Sequence, residues 1–212
     1  MTVNIETFTN GPLNQNCYII GNSKCEAIIV DPGSNPEFIV SIIKKNDWFP
    51  LAIINTHAHH DHIGAVSFLM KEYKIPFYLH GDDASLLLRA NTYSLLFKAN
   101  TAIQIPEISH DLRKFDTCLK VGKFEIQWIE TPGHTRGSIC FIIDQHIFTG
   151  DTLLANTFGR TDLPGGDLKM LKKSIAKLDN LDPSLLIRPG HGEVIDLGHA
   201  LKKSFQTLRL KK

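Results

Sequence analysis

The segment from His57 to His62, HAHHDH, places four imidazoles and one carboxylate within six consecutive residues. Such a cluster is poorly suited to an apolar core, because each ring nitrogen or carboxylate oxygen that leaves water needs a partner. Imidazoles and carboxylates are also ligands that Zn²⁺, iron and Mn²⁺ accept in proteins. The segment therefore indicates either a solvated surface or a metal site.

The spacing within this segment predicts different roles for its residues. His57 and His59 are two residues apart, so both rings project to the same side of an extended chain and can share one ion. Asp61 and His62 follow where a helix is expected to start, and they can reach a second ion. An Asp at the start of a helix is most often an N-cap, but the surrounding histidines favour a ligand role for Asp61. His60 points away from its neighbours in an extended chain, so we expect it to be solvated or to lie behind the ligands.

Three further candidates follow apolar segments that are typical of β-strands. FEIQWIETPG leads to His134, HIFTG to Asp151 and SLLIRPG to His191, just as LAIINT leads to His57. Strands of one sheet that end at such residues can deliver them to one edge, where loops carry function. Glycine and proline beside these positions let the backbone turn sharply. Four other histidines are expected on the surface or in loops: His80, His110, His146 and His199.

The candidates comprise five imidazoles and two carboxylates, which is too many for one tetrahedral ion. Two ions that share Asp151 would use every ligand. Each ion would then take three further residues: His57, His59 and His134 for the first, and Asp61, His62 and His191 for the second. We therefore predict two divalent metal ions, with Zn²⁺ preferred and Fe or Mn²⁺ as alternatives, each keeping a position for water.

The elements that must position these residues alternate between strands and helices. VNIETF, NCYII, EAIIVDPG and LAIINT predict strands before HAHHDH, and strands return over residues 119–150 and at SLLIRPG. Helices are predicted over 36–45, 63–73, 168–178 and 200–208, and from Asp82 or Asp83 as an N-cap. Residues 91–111 are assigned to a surface insertion. Two β-rich halves, each with helices, predict an α/β protein with two sheets packed face to face and helices outside.

Composition sets the broad class. The chain has 212 residues, of which 42% are hydrophobic and 21% charged, and a formal net charge of +1. These values predict one globular domain spanning residues 1–212. The small net charge provides no field for nucleic acid or an anionic membrane, and no segment resembles an export signal or a membrane helix. We expect a cytoplasmic monomer or small homo-oligomer that acts on a small molecule.

Four motifs in this order resemble the metallo-β-lactamase superfamily. They are H-x-H-x-D-H at 57–62, TPGHTRGS around His134, FTGDTL around Asp151 and PGHG around His191. The resemblance covers nearly the whole chain and includes VDPG at Asp31. It implies an αββα four-layer sandwich of two mixed β-sheets flanked by helices, with a dinuclear metal site and the ligand set given above. Asp31 either holds a ligand imidazole from behind or is only a turn residue before a proline.

FGRTDLPGGD, over residues 158–167, resembles the short bacterial glyoxalase II-like hydrolases, which act on thioesters such as S-lactoylglutathione. This resemblance implies a thioesterase in which a hydroxide that bridges two metal ions attacks the carbonyl, with Asp61 orienting it. Longer glyoxalase II enzymes append a helical domain that binds glutathione, whereas 21 residues follow His191 here. The thiol carrier is therefore left open. Arg160 and Asp162 are expected to hold the loop over the site.

The nearest alternative is a persulfide dioxygenase, which shares the scaffold and the GRTD segment. That resemblance implies one Fe(II) held by His57, His134 and Asp151, and the residues alone permit both interpretations. The LPGGD continuation favours the hydrolase. A non-catalytic member fits less well, because no expected ligand is missing. The β-lactamases usually carry a cysteine in the bridging region and an export signal, and the superfamily nucleases a basic face or extra domains, none of which the sequence shows.

Overall fold

The computed structural model describes residues 2–96 and 102–210. Six strands come from the first half of the chain: β1 Val3–Asn10, β2 Gln15–Asn22, β3 Glu26–Val30, β4 Phe49–Ile54, β5 Phe77–Leu79 and β6 His110–Asp111. Six come from the second half: β7 Cys118–Val121, β8 Phe124–Glu130, β9 Ile139–Ile143, β10 His146–Gly150, β11 Leu186–Pro189 and β12 Ile195–Asp196. Each half therefore builds its own sheet.

Both sheets are mixed. The first has the strand order β1–β2–β3–β4–β5–β6, and the second has the order β12–β11–β10–β9–β8–β7. Strands β3 to β6 run parallel to one another, while β1 and β2 are antiparallel to their neighbours. In the second sheet only β10 and β11 pair in parallel. Strands β8, β10 and β11 consequently point in the same direction.

Seven α-helices flank the sheets in the described ranges: α1 Pro36–Lys45, α2 His60–Ile63, α3 Val66–Tyr73, α4 Ala84–Leu88, α5 Ala90–Leu96, α6 Leu168–Leu178 and α7 Leu197–Leu210. The predicted bounds of α1 and α6 are confirmed. Pro36 and Glu37 start α1 and two lysines end it, as the helix dipole favours. The Asp167 carboxylate accepts a hydrogen bond from Met170 N and so caps α6. Helix α7 is longer than the predicted 200–208.

Three apolar layers join these elements. Between the sheets, residues such as Tyr18 and Ile54 pack against Phe124 and Phe148. Because side chains alternate along a strand, the next residues face outwards, where the first sheet packs on helices α1 and α3 to α5. The second sheet packs on α6 and α7 in the same way. The αββα sandwich predicted from the sequence is confirmed.

Two local predictions are wrong. The helix predicted over 63–73 is divided, because Ala65 N donates to Pro32 O instead of to the preceding helical turn. Residues 91–111 are also not a surface insertion: Tyr93 and Ile103 are buried in the core of the first sheet, and His110–Asp111 pairs with β5. Within that predicted segment, residues 97–101 lie outside the described ranges. Among the described helices, none combines the length and apolar character that crossing a membrane requires.

Polar residues lie just beyond the carboxyl ends of several strands. Asp31 follows β3 directly, Asp151 follows β10 directly, and His191 lies two residues beyond β11. His57 and His134 lie three and four residues beyond β4 and β8. The two sheets are joined at this edge, since Asn16 N donates to Gly190 O at 2.8 Å and Tyr18 Oη donates to Pro189 O at 2.6 Å. The predicted convergence of strand ends is therefore present.

Candidate metal centre

Three imidazoles, from His57, His59 and His134, form what we call the first cluster. His59 Nδ1 lies 2.9 Å from His134 Nε2, and the His57 ring centroid lies 4.8 Å from the centroids of both other rings. All three side chains are buried. Nitrogens bound tetrahedrally to one Zn²⁺ at its usual Zn–N distance are about 3.4 Å apart. The first cluster could therefore hold one ion.

Asp61, His62 and His191 form the second cluster. His191 Nε2 lies 3.2 Å from Asp61 Oδ2, and His62 Nε2 lies 3.8 Å from the same oxygen. Asp61 lies in the first turn of α2, but the N-cap position belongs to His59, whose side chain makes no capping bond. The capping alternative for Asp61 is therefore wrong. Its carboxylate is directed instead to the two imidazoles with which it could hold a second ion.

The Asp151 carboxylate lies between the two clusters. Its Oδ2 is 3.5 Å from His134 Nε2 and 3.7 Å from His191 Nε2. Its Oδ1 is 3.7 Å from His62 Nε2. One side chain thus faces ligand atoms of both clusters, which is the position that a bridging ligand needs. The structure brings together all seven residues that the sequence singled out as metal ligands.

The hydrogen bonding of this centre fits a metal site. Three of its buried atoms have no hydrogen-bond partner in the described ranges: His57 Nε2, His62 Nε2 and Asp151 Oδ1. Buried polar atoms without partners are costly and rare in folded proteins. Cations held by the two clusters would satisfy these atoms, so the donor set present fits divalent metal ions.

Backbone carbonyls orient two of the imidazoles. His134 Nδ1 lies 2.8 Å from Arg160 O, and His191 Nδ1 lies 3.1 Å from Leu13 O. A carbonyl oxygen can only accept, so each ring carries its proton on Nδ1. The Nε2 lone pair is then free to bind a metal. The sequence offered no signal for these contacts, because any residue could supply the carbonyl.

Asp31 supports both clusters from behind. Its buried carboxylate accepts hydrogen bonds from Thr56 N and Thr56 Oγ1, each at 2.7 Å, and from His62 Nδ1 at 3.0 Å. Thr56 Oγ1 lies 3.0 Å from His57 Nδ1, so the same carboxylate orients His57 through the hydroxyl. Asp31 has φ +50°, so it also occupies the predicted turn. Its oxygens are occupied by these donors, which makes Asp31 a support for ligands and not a ligand.

Asp83 holds the first cluster, a role that the sequence did not reveal. It occupies the N-cap position of α4 as predicted, yet its side chain makes no capping bond. Its carboxylate accepts hydrogen bonds from Ala58 N at 3.0 Å, Thr135 Oγ1 at 2.8 Å and Gly137 N at 2.8 Å. Ala58 lies between two imidazoles of the first cluster, and Thr135 follows the third. Asp83 therefore ties together the two segments that carry this cluster.

The two clusters differ in electrostatics. Burial, reinforced by neighbouring imidazoles, lowers the pKa values of His57 and His59 well below the ordinary value, so these rings are neutral, as metal ligands must be. Burial also opposes protonation of His62, but Asp61 and Asp31 raise its pKa to about 9. Burial would raise the pKa of Asp61, yet the neighbouring imidazoles hold it far below its ordinary value. The surroundings of the second cluster therefore favour a positive charge.

Two glycines permit this close packing. A Cβ at Gly190 would collide with Asp151 Oδ1 and lie 2.7 Å from His62 Cε1. A Cβ at Gly159 would lie 2.7 Å from His134 Nδ1. Any side chain at either position would displace a ligand.

The histidines that belong to neither cluster differ in how far they are buried. His60 is buried, with Nδ1 3.9 Å from Asp61 Oδ1, and it belongs to neither cluster. His80 is buried, and its Nε2 lies 3.5 Å from Glu130 Oε1. His80 directly follows β5 and lies in a loop, which is one of the two positions expected for it. His110 and His199 are exposed, as expected, and His146 is half-buried.

Arg160 and Asp162 form an exposed two-point ion pair, with Nε–Oδ1 at 2.8 Å and Nη2–Oδ2 at 2.7 Å. The ion pair lies within the loop over residues 158–167. This loop contacts the first cluster through the Arg160 carbonyl, which lies 2.8 Å from His134 Nδ1.

Comparison with known proteins agrees with this fold and site. The family model of the metallo-beta-lactamase superfamily matches residues 10–191. The chain therefore belongs to the metallo-beta-lactamase superfamily, and its relatives include metallo-hydrolases. One relative is the probable metallo-hydrolase YqgX of Bacillus subtilis, 35% identical over 88% of this chain and 89% of that protein. Another is the hydroxyacylglutathione hydrolase GloC of Haemophilus influenzae, 31% identical over 92% of this chain and 94% of that protein.

Solved structures show the same similarity. The B3 metallo-beta-lactamase BLEG-1 superposes with a TM-score of 0.86 at 33% identity, over 94% of this chain and 97% of that one. TTHA1623 in a di-iron-bound form superposes with a TM-score of 0.84 at 32% identity, over 94% of this chain and 98% of that one.

Proposed function

We propose that this chain is a dinuclear metal-dependent thioester hydrolase of the glyoxalase II type, acting on S-(hydroxyacyl)glutathione-like thioesters. The observation that carries the proposal is the position of Asp151, within 3.7 Å of ligand atoms in both clusters. A carboxylate shared between two groups of three ligands suits two ions better than one. The relative named as a hydroxyacylglutathione hydrolase supports the substrate class.

Divalent ions bound at the two clusters would supply a hydroxide near neutral pH and polarise the carbonyl of the substrate. The chain's own contribution is to hold the ligands and orient the nucleophile. The Asp61 carboxylate is 13% exposed and stays ionised, because its pKa lies far below the ordinary value. Asp61 can therefore accept a hydrogen bond from the attacking hydroxide as well as serve as a ligand.

The leaving group explains why a thioester suits this site. A thiol with a pKa of about 8.5 departs readily as the thiolate and needs no strong acid, whereas an amine must be protonated as it leaves. Asp61, the partly exposed carboxylate of the second cluster, is an ionised acceptor and not a proton donor. This chemistry favours thioesters over amides.

The alternative of a persulfide dioxygenase would use only His57, His134 and Asp151 around one iron. In that enzyme the carboxylate of Asp61, which lies 3.2 Å from His191 Nε2, would have no role. The second cluster, with its preference for positive charge, therefore favours the two-ion hydrolase.

The test is a substrate panel assayed on protein of measured metal content. S-Lactoylglutathione and related glutathione thioesters are compared with a chromogenic β-lactam, because BLEG-1 is similar in structure, and with glutathione persulfide in an oxygen electrode. We expect thioester hydrolysis that a chelator removes and Zn²⁺, Fe²⁺ or Mn²⁺ restores. His191→Ala should abolish this hydrolysis, while His199→Ala, which changes an exposed histidine, serves as the matched control.

Oxygen uptake with the persulfide in the absence of thioester turnover would establish the dioxygenase instead. Turnover of the β-lactam alone would overturn the thioesterase proposal and keep the metal-dependent hydrolase.

A further inference from the structure

A small cavity of about 210 Å³ lies between helices α4–α5 and the loops of the second sheet. Arg89 lies between the two helices and Tyr93 lies in α5, while the loops contribute Thr135, Arg136 and Gly165. No individual role was predicted for any of these residues, although Thr135 and Arg136 belong to TPGHTRGS and Gly165 to FGRTDLPGGD.

The walls of this cavity are part of the framework that holds the first cluster. Thr135, which lines the cavity, directly follows His134 in the chain. Asp83 also lines it, and its carboxylate holds both Thr135 and the backbone of Ala58. The cavity therefore lies beside the first cluster and is built on the same supports.

Two arginines and two aspartates line the cavity, and they differ in their hydrogen-bond partners. Arg89 and Arg136 are exposed and have no ion pair or side-chain hydrogen bond within the described ranges. Both acids of the cavity are already engaged: Asp82 Oδ1 accepts from Arg113 Nη1 at 2.9 Å, and Asp83 accepts from three donors. Within the described ranges the cavity thus presents two guanidinium groups that no ion pair holds, beside the carboxylates of Asp82 and Asp83. Guanidinium groups are always charged and bind carboxylates through two parallel hydrogen bonds.

The size of the cavity limits what it could take. Its volume is below the roughly 300–1,000 Å³ that holds a whole drug-sized ligand, so it suits a group the size of one amino acid. Arg136 lies two residues beyond His134, so the backbones of the two residues are within about 7 Å of each other. In a peptide thiol, the distance from the cysteine to a carboxylate one residue away is similar.

We propose that this cavity binds a carboxylate of the substrate's thiol carrier through Arg89 and Arg136. The inference rests on the proposed thioester hydrolase function and names the two residues that would recognise the thiol carrier. The thioester then lies at the metal centre, and the carboxylate end of the carrier lies in the cavity.

The test measures binding and does not depend on turnover. S-Methylglutathione, a thioether that cannot be cleaved as a thioester, is titrated calorimetrically into the metal-loaded protein. Arg89→Gln and Arg136→Gln should each weaken binding by about 10–100-fold, the range for losing hydrogen bonds to a charged group. Lys173→Gln, which removes an exposed positive charge from α6, is the matched control and should change binding by less than twofold.

The diethyl ester of S-methylglutathione provides the second arm. It should bind wild-type protein about 10–100-fold more weakly than the free acid, and the arginine substitutions should then add little further loss. Equal binding of acid and ester, or an equal loss from Lys173→Gln, would overturn the proposal. Arg136→Lys should recover only part of the affinity, because a lysine keeps the charge without the two parallel bonds.

Kinetics on the same variants separate this proposal from the proposed function. With S-lactoylglutathione, Arg89→Gln and Arg136→Gln should raise KM and leave kcat nearly unchanged. Thioester hydrolysis that is insensitive to both arginines would refute the cavity proposal alone. Arginine-dependent binding of the thioether without any thioester hydrolysis would refute the proposed function alone.

Discussion

The two clusters of the metal centre are built differently. The first consists of three buried imidazoles, two of which, His57 and His59, have pKa values lowered by burial. Asp83 supports it by binding backbone and hydroxyl groups of the segments that carry these rings. The second contains a carboxylate, its His191 is 25% exposed, and Asp31 supports it by binding the ring of His62 directly. An enclosed cluster of imidazoles alone thus lies beside a partly open cluster that contains a carboxylate. Under the proposed two-ion function, cation binding would depend on geometry in the first cluster and on charge in the second.

Asp151 is the residue that the two clusters share, and changing it should have the largest effect. Asp151→Ala removes the oxygens near His134, His191 and His62. We expect thioester turnover to fall by more than the roughly 10–100-fold that follows loss of an outer partner of a ligand, and metal content to fall from two ions per chain. Metal analysis and steady-state kinetics check this. Unchanged turnover with two bound ions would exclude the bridge.

Asp31 should show the next largest effect, mainly on the second cluster. Asp31→Asn keeps the shape and tolerates the positive φ, but it removes an acceptor from His62 Nδ1. We expect the affinity of the second cluster for its ion to fall about 10–100-fold. Competition with a chromophoric chelator measures this affinity. Asp47→Asn is the matched control, because Asp47 is exposed and also has φ +51°. Equal losses at both ions would show that the path through Thr56 to His57 matters as much as the bond to His62.

Asp83 should have a smaller effect that is confined to the first cluster. In the wild-type protein, Ala58 N and Thr135 Oγ1 donate hydrogen bonds to the Asp83 carboxylate. Asp83→Asn replaces one acceptor oxygen with an amide group that donates, so the connection between these two segments is weakened. We expect about a 10-fold loss of affinity for the first ion, the lower end of the range for outer partners, and little change for the second. Cobalt substitution, with one absorption spectrum for each site, measures the two separately. The neighbouring Asp82→Asn is the control, and a loss at the second ion would contradict the division.

The smallest effect is expected from the exposed pair of Arg160 and Asp162. Asp162→Asn should change the affinity of the first cluster for its ion by less than about threefold, since exposed ion pairs contribute little and His134 is held by the Arg160 carbonyl. The same chelator competition checks this value. A loss as large as that of Asp83→Asn would mean that the loop is held by its side chains.

The sequence predicted the fold, and it singled out the seven residues that the structure brings together, because both depend on strong local patterns. HAHHDH and the apolar segments that end in His134, Asp151 and His191 needed only the rule that strand ends converge, and the sandwich followed from alternating strands and helices. The supports were harder to predict. The carbonyls of Arg160 and Leu13 carry no residue-specific signal, and Asp83 has the same local sequence context as a helix cap. What such residues contact is decided by packing between distant segments, which a single sequence does not reveal.

The division of the centre between the two sheets links metal uptake to assembly of the protein. Four of the seven proposed ligands precede residue 97 and three follow residue 101, with His191 supplied after β11. No fragment that lacks either sheet contains a complete ligand set. During synthesis, full coordination becomes available only after His191 has emerged from the ribosome and the second sheet has docked. The rate at which the newly made chain captures metal would therefore report when its two halves have joined.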